Sequence, residues 1–137
     1  MAALYLLDTN ILIAALNEHS GIRQRLDSLR LENVYLSAIV LGELEYGAEK
    51  SAYGERNRAH LATLAGQLPL IGLDAEASRH YGILRTFLER KGTPIGSNDM
   101  WIAAQALAIK ATLVTNNERE FSRVPGLPVE NWLRKVN

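Results

Sequence analysis

The chain opens on a wholly apolar run, Ala3-Leu4-Tyr5-Leu6-Leu7, which breaks off at Asp8-Thr9-Asn10. A short run with no polar alternation predicts a strand buried on both faces. Ile11, Leu12, Ala15 and Leu16 then recur at helical spacing, and a second helical stretch covers about Gly21 to Leu31. Asn33 to Leu36 reads as the next strand. Ser37 is placed to cap a helix to about Lys50, which carries Glu43, Glu45 and Glu49. Ser51 to Gly54 is a turn, and Glu55 to Leu68 a further helix stopped by Pro69. Leu70 to Leu73 is a strand, and Asp74 caps a helix to about Lys91 that Gly92 closes.

The loop from Gly92 to Gly96 is punctuated by Pro94. Ser97 or Asn98 is the expected cap of a core helix to about Lys110, with Asp99 in its first turn. Ala111 to Val114 is a strand ending at Thr115-Asn116-Asn117; a helical turn at Glu118 to Phe121 and a last strand near Val129 to Asn131 follow. Strands alternating with helices predict a three-layer α/β/α sandwich around a central, mainly parallel sheet, in one domain spanning residues 1–137. In such sheets function gathers beyond the carboxyl ends of the strands, where the strand order reverses. Asp8 and Asn117 stand at or just past strand ends, Glu43 borders the buried side of its helix, and Asp99 opens the helix that feeds the next strand. Asp99 alone would be explained by the helix dipole; three acids from distant segments raise a second explanation.

Composition narrows the chemistry. Lysine and arginine number 15, as do aspartate and glutamate, so a long duplex footprint is not expected, while a small site on RNA is compatible. With no cysteine there is neither disulfide nor thiolate zinc site, in keeping with the cytoplasm. Asp8, Thr9 and Asn10 interrupt the apolar stretch from Ala2 to Leu16, so neither a signal peptide nor a membrane span is expected. His19, His60 and His80 lack metal-ligand spacing. Arg85, Lys91 and Arg119 lie near the acidic end and are the candidates for phosphate contacts, and Tyr46 and Trp101 read as core or interface aromatics. Clustered carboxylates repel unless a proton or cation joins them; Mg²⁺ and Mn²⁺ suit hard oxygen donors and can activate water against a phosphodiester.

Four segments, Leu6 to Asn10, Ser37 to Gly47, Gly92 to Ala104 and Leu113 to Phe121, resemble the PIN-domain family and, more narrowly, the VapC toxins of bacterial toxin–antitoxin pairs. The Pro125-Gly126-Leu127 and Val129-Glu130-Asn131-Trp132 ending matches as well. The resemblance implies a toxin that is a Mg²⁺- or Mn²⁺-dependent endoribonuclease acting on a structured RNA such as tRNA and leaving a 3′-hydroxyl and a 5′-phosphate. It also implies a homodimer, held inactive by a VapB-type antitoxin through which alone DNA would be contacted. The family's metal-binding acids fall on Asp8, Glu43 and Asp99, with Asn10, Ser37 and Thr115 at polar positions beside them. Where many members carry a fourth acid this chain has Asn117, so Asn117 is a candidate catalytic residue and Glu120, three residues on, a candidate replacement. Asp8-Thr9-Asn10 also loosely resembles the nucleophile of haloacid-dehalogenase phosphatases, which want a second aspartate where Asn10 stands; a non-catalytic PIN-like binding module is the other alternative.

Overall fold

The computed structural model describes residues 2–134. Its elements are β1 (Tyr5–Leu7), α1 (Thr9–Leu16), α2 (Ser20–Asp27), a 3-10 turn at Leu31–Asn33, β2 (Val34–Ser37), α3 (Ala38–Lys50), α4 (Gly54–Ala65), β3 (Leu70–Ile71), α5 (Ala75–Lys91), α6 (Ser97–Ile109), β4 (Thr112–Val114), α7 (Glu118–Phe121) and β5 (Val129–Glu130). The strands form one five-stranded sheet in the order β3-β2-β1-β4-β5. Every pairing is parallel, as the apolar runs require, and helices flank the sheet. Leu6, Leu7, Val34, Leu36, Leu113 and Val114 are buried in the central strands. No helix among the described residues is long and apolar enough to cross a membrane.

The chain winds from β1 outward through β2 to β3, then returns to lay β4 on the other side of β1. The order therefore reverses between β1 and β4, and their carboxyl ends open the crevice where an open α/β sheet binds its ligand. The amide of Asp8 donates to the carbonyl of Val114 at 2.9 Å, so the two ends are locked together. Around this point α6 is the most deeply placed helix, with Met100, Ile102, Ala103, Ala104, Gln105 and Ala106 all buried.

Ser37 and Asp74 cap their helices as expected, accepting from the amides of Ile39 and Ala77. Gly92 ends α5 with φ of 70°, a left-handed conformation that suits glycine. Two boundaries differ from expectation. The residue that caps α6 is Gly96, whose carbonyl accepts from the Met100 amide at 2.9 Å, and neither Ser97 nor Asn98 caps with its side chain. β3 stops at Ile71 rather than Leu73, because the side-chain amide of Gln105 donates to the carbonyls of Ile71 and Gly72. The same Gln105 accepts from the Ser37 hydroxyl at 2.5 Å, so one buried amide ties β2, the end of β3 and α6 together.

Candidate active site

The end of β1 delivers Asp8, only 5 % exposed, straight into the cap position of α1. One carboxylate oxygen accepts from the Thr9 amide at 2.8 Å; the other accepts from the Thr115 hydroxyl at 2.7 Å and from the Asn10 side chain at 3.3 Å. Burial pushes the Asp8 carboxyl up and the charge of Glu43 adds to it, against the lowering effect of those three donors. Glu43, on α3, is held from two sides. Thr9 donates its hydroxyl to one oxygen at 2.6 Å, and Asn98 donates its amide to the other at 3.3 Å.

Asp99 stands in the first turn of α6. Burial is the largest cause that raises it, followed by the charge of Glu120, that of Asp8, a hydrogen bond with Glu120 and the charge of Glu43; together they push it up to about 7. Glu120 on α7 is thus brought to the cluster. Its oxygens accept from the Gly96 amide at 3.1 Å and from the Asn117 side chain. The Asn117 backbone N–H in turn donates to the Thr115 hydroxyl at 2.9 Å, which holds the Asn117 side chain beside the fourth carboxylate, as that carboxylate's donor.

Glu120, Asp8 and Glu43 therefore all lie close enough for their charges to act on Asp99, and Glu43 close enough to act on Asp8. Among the described residues, no lysine or arginine forms an ion pair with any of them. This is a hard-oxygen donor set with uncompensated negative charge, which fits a divalent cation in donor type and in sign. The fit does not extend to a formed cage: among the described residues, no three Asp, Glu or His side chains are grouped tightly enough to hold one ion as they stand. Asp8, Glu43 and Glu120 are instead turned toward protein donors, and Asp99 toward Glu120.

Of the basic candidates, Arg85 is engaged along α5 with Glu89 and Tyr81, and Lys91 lies over the Phe87 ring. Trp101 stacks on Tyr81 with ring centroids 3.8 Å apart, while Tyr46 is 64 % exposed and not core. Thr9, Asn98 and the Gly96 amide are site contacts that the sequence reading did not single out. Thr9 and Asn98 each adjoin an acid in a recognised motif, which was the available signal. A cleft of about 600 Å³ lies away from the carboxylates, around α1, α2 and α4; Ala15, Leu16, Leu26, Leu29, Leu64 and Leu68 supply its apolar wall, and Glu18, Arg23, Asp27, His60, Thr63 and Gln67 its polar one.

Comparison with known proteins bears on the whole of this arrangement. The chain is 46% identical over 131 residues to ribonuclease VapC2 of Rickettsia felis, covering 94% of this chain and 98% of the relative. It is 42% identical over 129 residues to the tRNA(fMet)-specific endonuclease VapC of Salmonella typhimurium, covering 93% and 97% respectively. Its fold matches the crystal structure of VapBC2 from Rickettsia felis bound to a DNA fragment from their promoter, with a TM-score of 0.89 and 45% identity over 94% of this chain and 98% of that one. The family model described as PIN domain matches residues 5–127, a span that takes in the switch point and the four acids, and the chain belongs to the PIN domain family.

Proposed function

We infer that residues 1–137 form one PIN domain that acts as an endoribonuclease, the toxin of a toxin–antitoxin pair. The observation that carries this reading is the meeting of Asp8, Glu43, Asp99 and Glu120 at the switch point with no cationic partner among the described residues. Nucleases of this family are generally dependent on a divalent metal, and these carboxylates would hold Mg²⁺ or Mn²⁺. When bound, the ion supplies a Lewis acid and a water of lowered pKa for attack on an RNA phosphodiester. The chain's own part is positional. Thr9 and Asn98 aim Glu43, Thr115 and Asn10 aim Asp8, and Asn117 with the Gly96 amide aims Glu120. The buried ends of β1 and β4 keep Asp8 in a low-dielectric setting, where charge on a substrate oxygen is felt strongly.

The substrate is a structured RNA, tRNA in kind. The partner is a VapB-type antitoxin, whose amphipathic segment would lie in the cleft beside α4, with its mixed apolar and charged lining, and along the two-helix arm of α3 and α4. A homodimer is the expected assembly.

The test is cleavage of bulk tRNA by the purified protein with Mg²⁺, with Mn²⁺, and after chelation. Asp8→Asn, Glu43→Gln and Asp99→Asn should each abolish cleavage while the protein stays folded. Cleavage by Asp8→Asn at the parental rate, or cleavage that survives chelation, would overturn the reading. Release of phosphate from a simple phosphoester with RNA left intact would favour a phosphatase instead.

A further inference from the structure

The turn after β4 carries three of the site's contacts. Thr115 donates to Asp8, the Asn116 amide donates to the Asn10 side-chain oxygen at 2.9 Å, and Asn117 donates to Glu120. Yet Asn116 and Asn117 are exposed, so core packing does little to hold them. The bracing comes from the stretch that follows β5. Asn131 donates its side-chain amide to the Asn116 side-chain oxygen at 3.0 Å and to Glu118 at 3.2 Å. Its own oxygen accepts from the Leu133 amide at 3.0 Å, and Arg134 pairs with Glu118.

This stretch is itself anchored away from the site. Trp132 is 7% exposed, packs on Tyr5 with ring centroids 5.5 Å apart, and donates its indole N–H to Glu130 at 3.0 Å. Arg25 of α2 lies over the Trp132 ring and pairs with the same Glu130 at 2.8 Å. An unbroken hydrogen-bond path therefore runs from a core anchor to the buried acid: Asn131 to Asn116, Asn116 to Asn10, Asn10 to Asp8. Residue 131 lies past the end of the family match at residue 127.

We propose that Asn131 is a positioning residue for the carboxylate site, setting its affinity for a divalent ion through Asn116, Asn10 and the turn that carries Asn117. The inference rests on the reading above, in which Asp8 helps to hold that ion. An amide is needed at 131 because the site uses its two halves differently: the oxygen accepts from Leu133, and the nitrogen donates to two oxygens. Asn131→Asp keeps the shape and the acceptor, but sets a negative oxygen against the Asn116 carbonyl and Glu118. Asn10 touches the carboxylate directly, the position from which a partner typically changes metal affinity by about 10–100-fold, and Asn131 acts on it through Asn116, at the low end of that range.

The experiment is calorimetric titration of the whole chain with Mn²⁺, together with NMR of the Asn10 side-chain amide and hydrogen exchange of the Asn116 backbone amide. In Asn131→Asp, Mn²⁺ binding should weaken about tenfold, the Asn10 signals should shift, and the Asn116 amide should exchange faster. Asn116→Ala removes the acceptor of that same Asn131 bond while keeping the backbone amide that reaches Asn10, so its effect and that of Asn131→Asp should not add in the double variant. Mn²⁺ affinity and Asn10 signals equal to the parental ones in Asn131→Asp would overturn the proposal, as would full additivity with Asn116→Ala. Asp8→Asn serves as the control. If it binds Mn²⁺ as tightly as the parental protein, or if the parental protein binds none, the metal reading of the site falls and the proposal with it. If parental binding is lost in Asp8→Asn and unaltered in Asn131→Asp, the proposal alone fails.

Discussion

Replacing Asp99 by asparagine removes a charge from the cluster while keeping the side chain's shape, and it should stabilise the protein as it inactivates it. Burial, then Glu120, Asp8 and Glu43, push this carboxyl up to about 7 from its ordinary 3.8. The folded chain therefore takes up a proton between about pH 4 and pH 7 that the unfolded chain has released, and stability falls as pH rises through that window. At about 1.36 kcal/mol per pKa unit, the full displacement sets a ceiling of about 4 kcal/mol above pH 7. Asp99 is partly exposed and shares the repulsion with three other acids, so solvent and salt screening leave about 1–2 kcal/mol. Asparagine avoids the ionisation and can donate to Glu120 without a bound proton. For a chain of 137 residues that gain is a rise in Tm of about 3–8 °C at pH 8. The check is a pair of thermal melts with divalent ions chelated, at about pH 8 and about pH 5. Most of the gain should vanish at the lower pH, where the parental carboxyl is already neutral. Cleavage of RNA in Mg²⁺ should be lost at both. A variant that melts at or below the parental temperature at pH 8 would refute the picture of mutually repelling carboxylates.

Glu120→Gln should weaken Mn²⁺ binding by about tenfold or more, because it removes a charge from the carboxylate cluster. Asn117→Ala, which only removes a donor to Glu120, should weaken it less; equal losses would give Asn117 a direct role, and calorimetry separates the cases. Gln105→Leu strips the partner from the Ser37 hydroxyl and from the carbonyls of Ile71 and Gly72. With the buried Ser37 hydroxyl left unpaired it should lose about 1–3 kcal/mol, read as a lower urea midpoint, and an unchanged midpoint would show that this buried amide is not what ties β2 to α6.

Much of this architecture was legible because it rests on periodicity and position. Apolar runs gave away β1, β2 and β4, and alternation with helices implied the parallel sheet; Asp8, Glu43 and Asp99 stood where such a sheet gathers ligands. Glu120 was left open for a physical reason. α7 is a helix of four residues, too short for a spacing pattern to say which way its side chains turn. What aims Glu120 inward is an amide at Gly96, 24 positions away, and the side chain of Asn117. The failed cap at α6 has a related cause. Asn98 is a good local cap by propensity, but its amide finds Glu43, 55 positions distant, and the Gly96 backbone starts the helix instead. Asn10, Asn116 and Asn131 repeat the pattern, each passing a side-chain bond to another segment. Sequence rules assign such residues to their own turn because the competing partner is invisible along the chain. In a partly buried cluster of acids that competition is biased, since a carboxylate accepts more strongly than a neutral carbonyl and draws the side-chain amides of Asn10, Asn98 and Asn117 toward it. The polar residues least explained by local propensity are therefore the ones that aim the site.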